Sequence, residues 1–292
     1  MDLLVNKIAI SEQEKQFFCD RGFLKLSKLL TTESIDQLRE MTGKQTYSPP
    51  SDYSGELSKI GYDIDEDITR NIYSSANFQQ IIQQLIPEGL TFIQGAVFEL
   101  KANQKGFRWH HDLLSLCYVM PEDVACTLWI PLDAIDTNKQ HGGLACVSHK
   151  IHSARGYFDL VYQLGQQDGL AEFAQSEACK QWDLSYASDV EQFLLDRNEI
   201  VEDFDLGDVL LMNKFVWHKS CQLKRGDLAA RRVYVMRFVG NNARFSKRFT
   251  ESTYTLLQST TNDVRSDLGY QLTNILNEGD IISDRISDFH NH

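Results

Sequence analysis

Apolar residues recur with a helical period at the beginning of the chain. Ser11 and Glu14 predict a helix over EQEKQFFCDRG that begins with a capping box, and Gly22 predicts its end. FLKLSKLL is short and apolar enough for a strand. TTESIDQLREMTG then places Ile35 and Leu38 on one face of a second helix.

Residues 45–76 differ from this pattern because they carry adjacent prolines and many polar side chains. They predict a long loop. A loop of this length in a compact domain is often a lid or a binding element. We therefore interpret residues 1–89 as a helical and lid region.

From residue 90 the pattern changes to short β-branched and aromatic runs separated by Gly, Asp and Asn. The runs are LTFIQGAVFELKA, ACTLWIPLDAI, GGLACVSH, GDVLLMNKFVWH and RRVYVMRFVG. Their spacing predicts an antiparallel sandwich or barrel over about 90–240. Helical patterns interrupt it at 150–205 and return in the tail, 241–292. With no repeat or linker in the sequence, we expect one domain over 1–292.

Composition narrows the function classes. Hydrophobic residues make up 42% of the chain and charged residues 24%, as in folded globular proteins. The net charge of −12 argues against non-specific binding to nucleic acid or to an anionic membrane. No apolar run approaches a membrane span. Six scattered cysteines, with no secretory signal at the N-terminus, predict a cytoplasmic protein.

The stretch RWHHDLL carries the candidate chemistry. If it is extended, His110 and Asp112 point to one face and His111 to the other. His110 and Asp112 could then share one metal ion, and the third ligand would come from a distant strand. His218 ends a strand-like run 106 positions after Asp112. Two imidazoles and one carboxylate on one face are typical of non-heme Fe(II) oxygenases.

Each of these signals has an ordinary explanation. A His-x-Asp pattern arises by chance, and a lone histidine at a strand end is more often structural than a metal ligand. The remaining histidines lie near a turn or at the C-terminus: His141, His149, His152, His290 and His292. The order of the surrounding features favours the metal site.

Most of residues 10–240 resembles the phytanoyl-CoA dioxygenase-like (PhyH) family of Fe(II)/2-oxoglutarate-dependent oxygenases, because its motifs occur in the order found in that family. The resemblance rests on the N-terminal helix–strand–helix, WHHD, LWIPLDAIDTNKQHGGLACVSHK, LGDVLLMNKFVWHKS and RRVYVMRF. It implies a double-stranded β-helix (jelly-roll) core with a helical N-terminus, a helical insertion and C-terminal helices. The fold class expected is mainly β with flanking helices.

The resemblance also implies roles for individual residues. His110, Asp112 and His218 match the ligands of Fe(II), and dioxygen would take a remaining position on the metal. Arg231, Ser220 and Trp129 match the contacts of 2-oxoglutarate.

Two of these assignments leave alternatives open. Arg232 competes with Arg231, since strand alternation lets only one of them face inward; counting back from Phe238 favours Arg231. Trp129 is equally well explained as a core aromatic residue. Ser148 and His149 match a signature that we interpret as structural, although the family's usual Pro-Gly before them is Cys-Val here.

The activity implied is that of a dioxygenase that hydroxylates an unactivated C–H bond of a small metabolite or natural-product intermediate, releasing succinate and CO2. Asp112 argues against halogenation, for which the family replaces that carboxylate. The expected partners are a small-molecule substrate and, at most, a second copy of the chain, as a monomer or homodimer. The alternatives are a jelly-roll metalloenzyme that does not use 2-oxoglutarate, and a non-catalytic binding or sensor protein on the same fold.

Overall fold

The computed structural model describes residues 3–44, 57, 59–62, 67–260 and 268–286. The helices in these ranges are α1 (Glu12–Arg21), α2 (Thr32–Lys44), α3 (Asp67–Tyr73), α4 (Ala76–Leu85), α5 (Leu113–Leu116), α6 (Arg155–Leu164), α7 (Leu170–Ala174), α8 (Glu177–Lys180), α9 (Asp189–Arg197), α10 (Lys247–Thr260) and α11 (Leu268–Leu272). The strands are β1 (Phe23–Leu26), β2 (Lys59–Tyr62), β3 (Leu90–Lys101), β4 (Ala125–Pro131), β5 (Leu144–Cys146), β6 (Ile200–Val201), β7 (Val209–Asn213), β8 (His218–Ser220) and β9 (Ala230–Gly240).

Helix α1 begins and ends where its sequence predicts. The Ser11 hydroxyl accepts a hydrogen bond from the Glu14 N–H, and the Glu14 carboxylate accepts one from the Ser11 N–H, which completes the capping box. Gly22 ends the helix in the left-handed region, at φ 81°, and its N–H donates to the Phe18 carbonyl. This turn directs the chain straight into β1.

The strands form two antiparallel sheets. The larger has the order β1-β7-β4-β9-β3-β2 and the smaller the order β6-β5-β8. Strand β9 is central, and its Arg237 stands opposite Gln94 of β3 on one side and Thr127 of β4 on the other. A bulge interrupts the β3–β9 register between Phe92 and Gln94.

The two faces of the large sheet bury different sets of side chains. One face packs against α1–α4 through residues that include Leu128, Ile130, Tyr234, Met236 and Phe238. The other face contributes Ala96, Trp129, Leu210, Met212, Val233 and Val235 to a cluster that Leu144 and Cys146 of the small sheet complete. We call this second set the inner cluster. The predicted fold class, a mainly β jelly-roll core with flanking helices, is confirmed.

The insertion between β5 and β6 supplies helices α6–α9. They form a separate hydrophobic cluster with Trp109, Trp217 and residues of α10. None of the helices in the described ranges is both long enough and apolar enough to cross a membrane.

The predicted loop over 45–76 is partly wrong. Helix α3 and strand β2 lie within it, and α4 begins at Ala76; residues 45–56, 58 and 63–66 lie outside the described residues. Ile68 and Ile72 are one helical turn apart and both are buried in the core, so they give α3 an apolar face. Strand β2 forms because it adds to the edge of β3.

The run GDVLLMNKFVWH is two strands, β7 and β8. The Asn213 side-chain oxygen accepts a hydrogen bond from the Phe215 N–H at 3.0 Å, which forms a tight turn after β7. This turn moves His218 from the large sheet to the small one.

Candidate metal centre

Paired backbone hydrogen bonds join His110 and His218. The N–H of each residue donates to the carbonyl of the other at 2.9 Å, and the ring centroids lie 4.1 Å apart. Strand β5 fixes His218 from its other side, where Cys146 is its partner. The structure therefore brings together two predicted ligands that are far apart in the sequence.

Both rings are oriented by the same kind of contact. His110 Nδ1 lies 2.7 Å from the Arg108 carbonyl, and His218 Nδ1 lies 2.9 Å from the Val216 carbonyl. Since a carbonyl only accepts, each Nδ1 carries a proton and donates it. Nε2 is then the ring nitrogen left to bind a metal ion, which is the arrangement that metal-binding histidines commonly adopt.

The surroundings of His110 keep it neutral. Burial, and secondly the nearby His218, lower the pKa of His110 to about 3. A neutral imidazole is the form that binds a metal ion.

Asp112 follows the extended segment and does not continue it. Its φ and ψ are −83° and 19°, and it directly precedes α5, so the predicted extended conformation of RWHHDLL ends before it. Its carboxylate is buried, and its Oδ2 accepts a hydrogen bond from the Thr127 hydroxyl at 2.7 Å. Burial raises the pKa of Asp112, but His218 and Arg237 outweigh that effect and the pKa lies below its ordinary value. Asp112 is therefore ionised at neutral pH.

In the described part of the chain, no three His, Cys, Asp or Glu side chains are arranged as a finished metal-binding group. His110 and His218 converge, whereas Asp112 directs one oxygen to Thr127. The chemistry of the donors nevertheless fits Fe(II): two imidazoles with available Nε2 atoms and one ionised carboxylate form the facial set of non-heme iron sites. The assignment of all three as ligands stays a prediction.

His111 packs on a different cluster from its neighbour, as strand alternation predicts. Its ring centroid lies 4.6 Å from that of Trp217 and 4.9 Å from that of Tyr157, and only 3% of the residue is exposed. Burial lowers its pKa to about 3. These contacts place His111 against the insertion and away from the inner cluster.

Of the two competing arginines, Arg231 is buried with the inner cluster. Its guanidinium lies 5.5 Å from the ring centroid of Trp129, and burial lowers its pKa to about 10. Arg232 lies on the other side of β9, where its Nη1 is within 3.8 Å of the position that a Cβ on Gly43 would take. The structure thus sets Arg231 and Trp129 side by side, while their contact with 2-oxoglutarate stays a prediction.

Ser220 lies two residues after His218 on β8 and therefore on the same side of the strand. Its backbone partner is Leu144, which belongs to the inner cluster, and its N–H donates to the Phe107 carbonyl at 2.9 Å. Its position suits a contact with a ligand in the inner cluster.

Sequence reasoning missed a row of polar residues beside Asp112. Thr127, Arg237 and Gln94 stand opposite one another on β4, β9 and β3, and Arg237 Nη1 donates to the Gln94 side-chain oxygen at 2.6 Å. All three are buried. The signal was present in the sequence, because each is a polar residue inside an otherwise apolar strand.

The insertion reaches His110 through Tyr186. Tyr186 forms a backbone bridge with His110, and the Arg108 guanidinium lies 4.1 Å from the Tyr186 ring centroid. The next residue, Ala187, donates its N–H to the Trp109 carbonyl at 3.0 Å. The insertion thereby supports the strand that carries His110.

The Ser148–His149 pair holds the end of α1. The Ser148 hydroxyl donates to the Asp20 carbonyl at 3.0 Å, and His149 Nε2 lies 2.9 Å from the Cys19 carbonyl. These contacts agree with the structural interpretation of the pair.

No family model and no curated protein sequence matches this chain. Solved structures do. The carbocyclase SnoK from nogalamycin biosynthesis, described as non-heme and alpha-ketoglutarate dependent, is 11% identical, with a TM-score of 0.58 and coverage of 93% of each chain. The epimerase SnoN in complex with Fe3+, alpha ketoglutarate and nogalamycin RO is 13% identical, with a TM-score of 0.59 over 92% of this chain and 93% of its own.

A third similar structure is EctD from S. alaskensis with 2-oxoglutarate and 5-hydroxyectoine. It is 14% identical, with a TM-score of 0.56 and coverage of 85% of this chain and 84% of its own. At these identities the likeness shows the fold alone. The chain has the fold that these non-heme iron and 2-oxoglutarate enzymes share.

Proposed function

We propose that this protein is an Fe(II)/2-oxoglutarate-dependent dioxygenase of the PhyH-like type. It hydroxylates an unactivated C–H bond of a small metabolite or natural-product intermediate. The observation that carries the proposal is the His110–His218 pair. Each ring is turned by a backbone carbonyl so that Nε2 is available, and the ionised Asp112 is their neighbour. This donor set lies in a jelly-roll core whose solved neighbours include complexes with iron and 2-oxoglutarate.

In this proposal, His110, Asp112 and His218 hold Fe(II). A bound iron ion supplies the oxidising power, with dioxygen and 2-oxoglutarate as co-substrates and succinate and CO2 as products. Thr127 orients the Asp112 carboxylate through its hydroxyl.

Arg231 is proposed to bind the far carboxylate of 2-oxoglutarate. A guanidinium suits this task because its parallel N–H groups match the two oxygens of a carboxylate. Arg231 Nε is buried and has no hydrogen-bond partner among the described residues, so its N–H is available to donate to a ligand. Trp129 lies beside Arg231, and the apolar side chains of the inner cluster would exclude water from the reaction. Ser220 is proposed as a second contact of the same carboxylate.

The expected setting is the cytoplasm, with a small-molecule substrate and a monomeric or homodimeric protein. The six cysteines are free thiols, and five of them are buried, as a reducing compartment permits. The net charge of −12 supports the expectation that neither nucleic acid nor an anionic membrane is a partner.

The test is a succinate-release assay with Fe(II), 2-oxoglutarate and a metabolite extract. We expect release that depends on both additions and is abolished in His110→Ala. His111→Ala is the matched control, because the same residue type is removed one position away; it should weaken the fold and keep metal binding. Equal succinate release by the wild type and His110→Ala would refute the enzyme proposal.

The same experiment separates the alternatives. Substrate oxidation that does not require 2-oxoglutarate and survives Arg231→Ala would indicate another jelly-roll metalloenzyme. Iron binding without succinate release from any extract would indicate a binding or sensor protein.

A further inference from the structure

Strand β9 carries two buried arginines on its inward face, and the proposed co-substrate accounts for one. Arg231 and Arg237 are 3% and 6% exposed. They are six residues apart, so they share a face and are separated by about 20 Å along the strand, at about 3.4 Å per residue. Their charged surroundings also differ. The negative charge of Asp133 raises the pKa of Arg231, whereas the positive charge of Arg237 lowers the pKa of Asp112. The far carboxylate of one 2-oxoglutarate molecule needs only one of these guanidinium groups.

No described residue forms a hydrogen bond with one edge of the Arg237 guanidinium. Nη1 donates to Gln94, whereas Nε is buried without a hydrogen-bond partner, and no ion pair reaches Arg237 from any described residue. Nε and Nη2 together form an edge with which a guanidinium binds a carboxylate through two parallel hydrogen bonds. A buried charge without such a partner is costly to the fold. The unpaired edge therefore fits an acceptor carried by a ligand, since none of the described residues supplies one.

Asp112 is not that acceptor. Its Oδ2 is bonded to Thr127, and under the proposed function its negative charge is shared with the metal ion. The charges of Fe(II), Asp112, a doubly negative 2-oxoglutarate and Arg231 then cancel. Arg237 remains as one uncompensated positive charge in a buried site, and an anion would neutralise it.

The residues around Arg237 indicate what kind of molecule carries the anion. The neighbouring inward row on the same three strands is apolar and consists of Ala96, Val235 and Trp129. Met212 lies opposite Thr127 on β7 and is also part of the inner cluster. A ligand held at Arg237 would therefore place its carbon skeleton against apolar side chains.

We propose that Arg237, held by Gln94, binds a carboxylate-type group of the substrate, so that the enzyme acts on an acidic small molecule with an apolar body. This inference rests on the proposed function, because it assigns a part of the same site. It adds the chemical class of the substrate to the proposed oxidation reaction.

The test compares acids with their uncharged amides. Benzoate and benzamide, and butyrate and butyramide, are titrated calorimetrically into the wild type loaded with Co(II) and 2-oxoglutarate. We expect each acid to bind at least about tenfold more tightly than its amide, since the acid alone forms charge-assisted bonds with the guanidinium. Arg237→Met should abolish this preference, and Arg232→Met, which removes an arginine from the outward face of β9, should keep it.

Three results would overturn the inference: equal binding of acid and amide by the wild type, an undiminished preference in Arg237→Met, or loss of the preference only in Arg231→Met. The last result would place the acid at Arg231. If Arg237→Met does not fold, Arg237→Lys replaces it; that variant keeps the charge but loses the paired donors, and should reduce the preference severalfold. An undiminished preference in Arg237→Lys would then count against the inference.

The calorimetric result does not depend on whether the protein releases succinate. A protein that prefers acids through Arg237 but releases no succinate keeps Arg237 as an acid-binding residue and loses the proposed function. A protein that releases succinate but binds acid and amide equally keeps the function and loses the acidic substrate.

Discussion

Methionine in place of Lys214 should stabilise the protein by an amount that depends on pH. Lys214 is 1% exposed, and its Nζ donates to the Met120 carbonyl at 2.8 Å. The rings of Phe158 and Phe215 lie 5.6 and 5.2 Å from the amine. Burial lowers the pKa of Lys214 from 10.5 to about 7, because the surrounding groups do not replace the water that an ammonium ion loses.

The direction of the pH effect is set by the two pKa values. Below pH 7 the amine is protonated in both states, and the folded protein bears the full cost of a buried charge. Between about pH 7 and 10.5 the unfolded chain keeps a proton that the folded protein has released, so the free energy of unfolding of the wild type rises with pH. At about 1.36 kcal/mol per pKa unit, the interval corresponds to about 5 kcal/mol. Losing the hydrogen bond to Met120 offsets about 1 kcal/mol.

We therefore expect Lys214→Met to gain about 4 kcal/mol at pH 6 and close to nothing near pH 10. Urea unfolding of both proteins at pH 6, 8 and 9.5, followed by tryptophan fluorescence, measures the difference. Lys150→Met is the control, since Lys150 is exposed and paired with Asp20 at the surface. A gain of the same size at pH 6 and 9.5, or a loss at both, would refute the reasoning.

Three further substitutions test the site and the fold. Thr127→Val should weaken Co(II) binding by about tenfold or more by calorimetry, because Asp112 loses its orienting hydroxyl; an unchanged affinity would contradict this. Arg231→Lys should raise the dissociation constant of 2-oxoglutarate about tenfold, whereas Arg232→Lys should not, and the reverse ranking would exchange their roles. Gly22→Ala should lower the free energy of unfolding in urea by about 1–3 kcal/mol, because φ is 81° and the new Cβ would lie 2.7 Å from His149 Nδ1. An unshifted unfolding midpoint would count against this strain.

Local patterns predicted those parts of the fold that depend on neighbouring residues. The capping box of α1 depends on two residues three positions apart. The runs that became β3, β4 and β9, and the separation of His110 from His111, reflect the strand period of 2 residues. The alternation argument succeeded for His111 although the backbone is no longer extended at Asp112. His110 is fixed by its pairing with His218, so its orientation does not depend on the backbone conformation of Asp112.

Other features depend on register between strands, which one sequence does not reveal. Thr127, Arg237 and Gln94 are 33 to 143 positions apart and meet only because β4, β9 and β3 pair as they do. Strand β2 likewise needs the edge of β3 to form. His218 could be proposed as the third ligand from its place at the end of a strand-like run and from the resemblance, but its backbone pairing with His110 depends on strand register.

The direct backbone pairing of His110 with His218 also affects how the protein folds. These hydrogen bonds close a loop of more than 100 residues. The chain must lose the conformational entropy of that loop before the two imidazoles can lie side by side. We therefore expect the two histidines to come together late, after most of the strands have paired. A metal ion added during refolding should leave the folding rate unchanged and slow unfolding instead, so that the bound metal prolongs the lifetime of the native state.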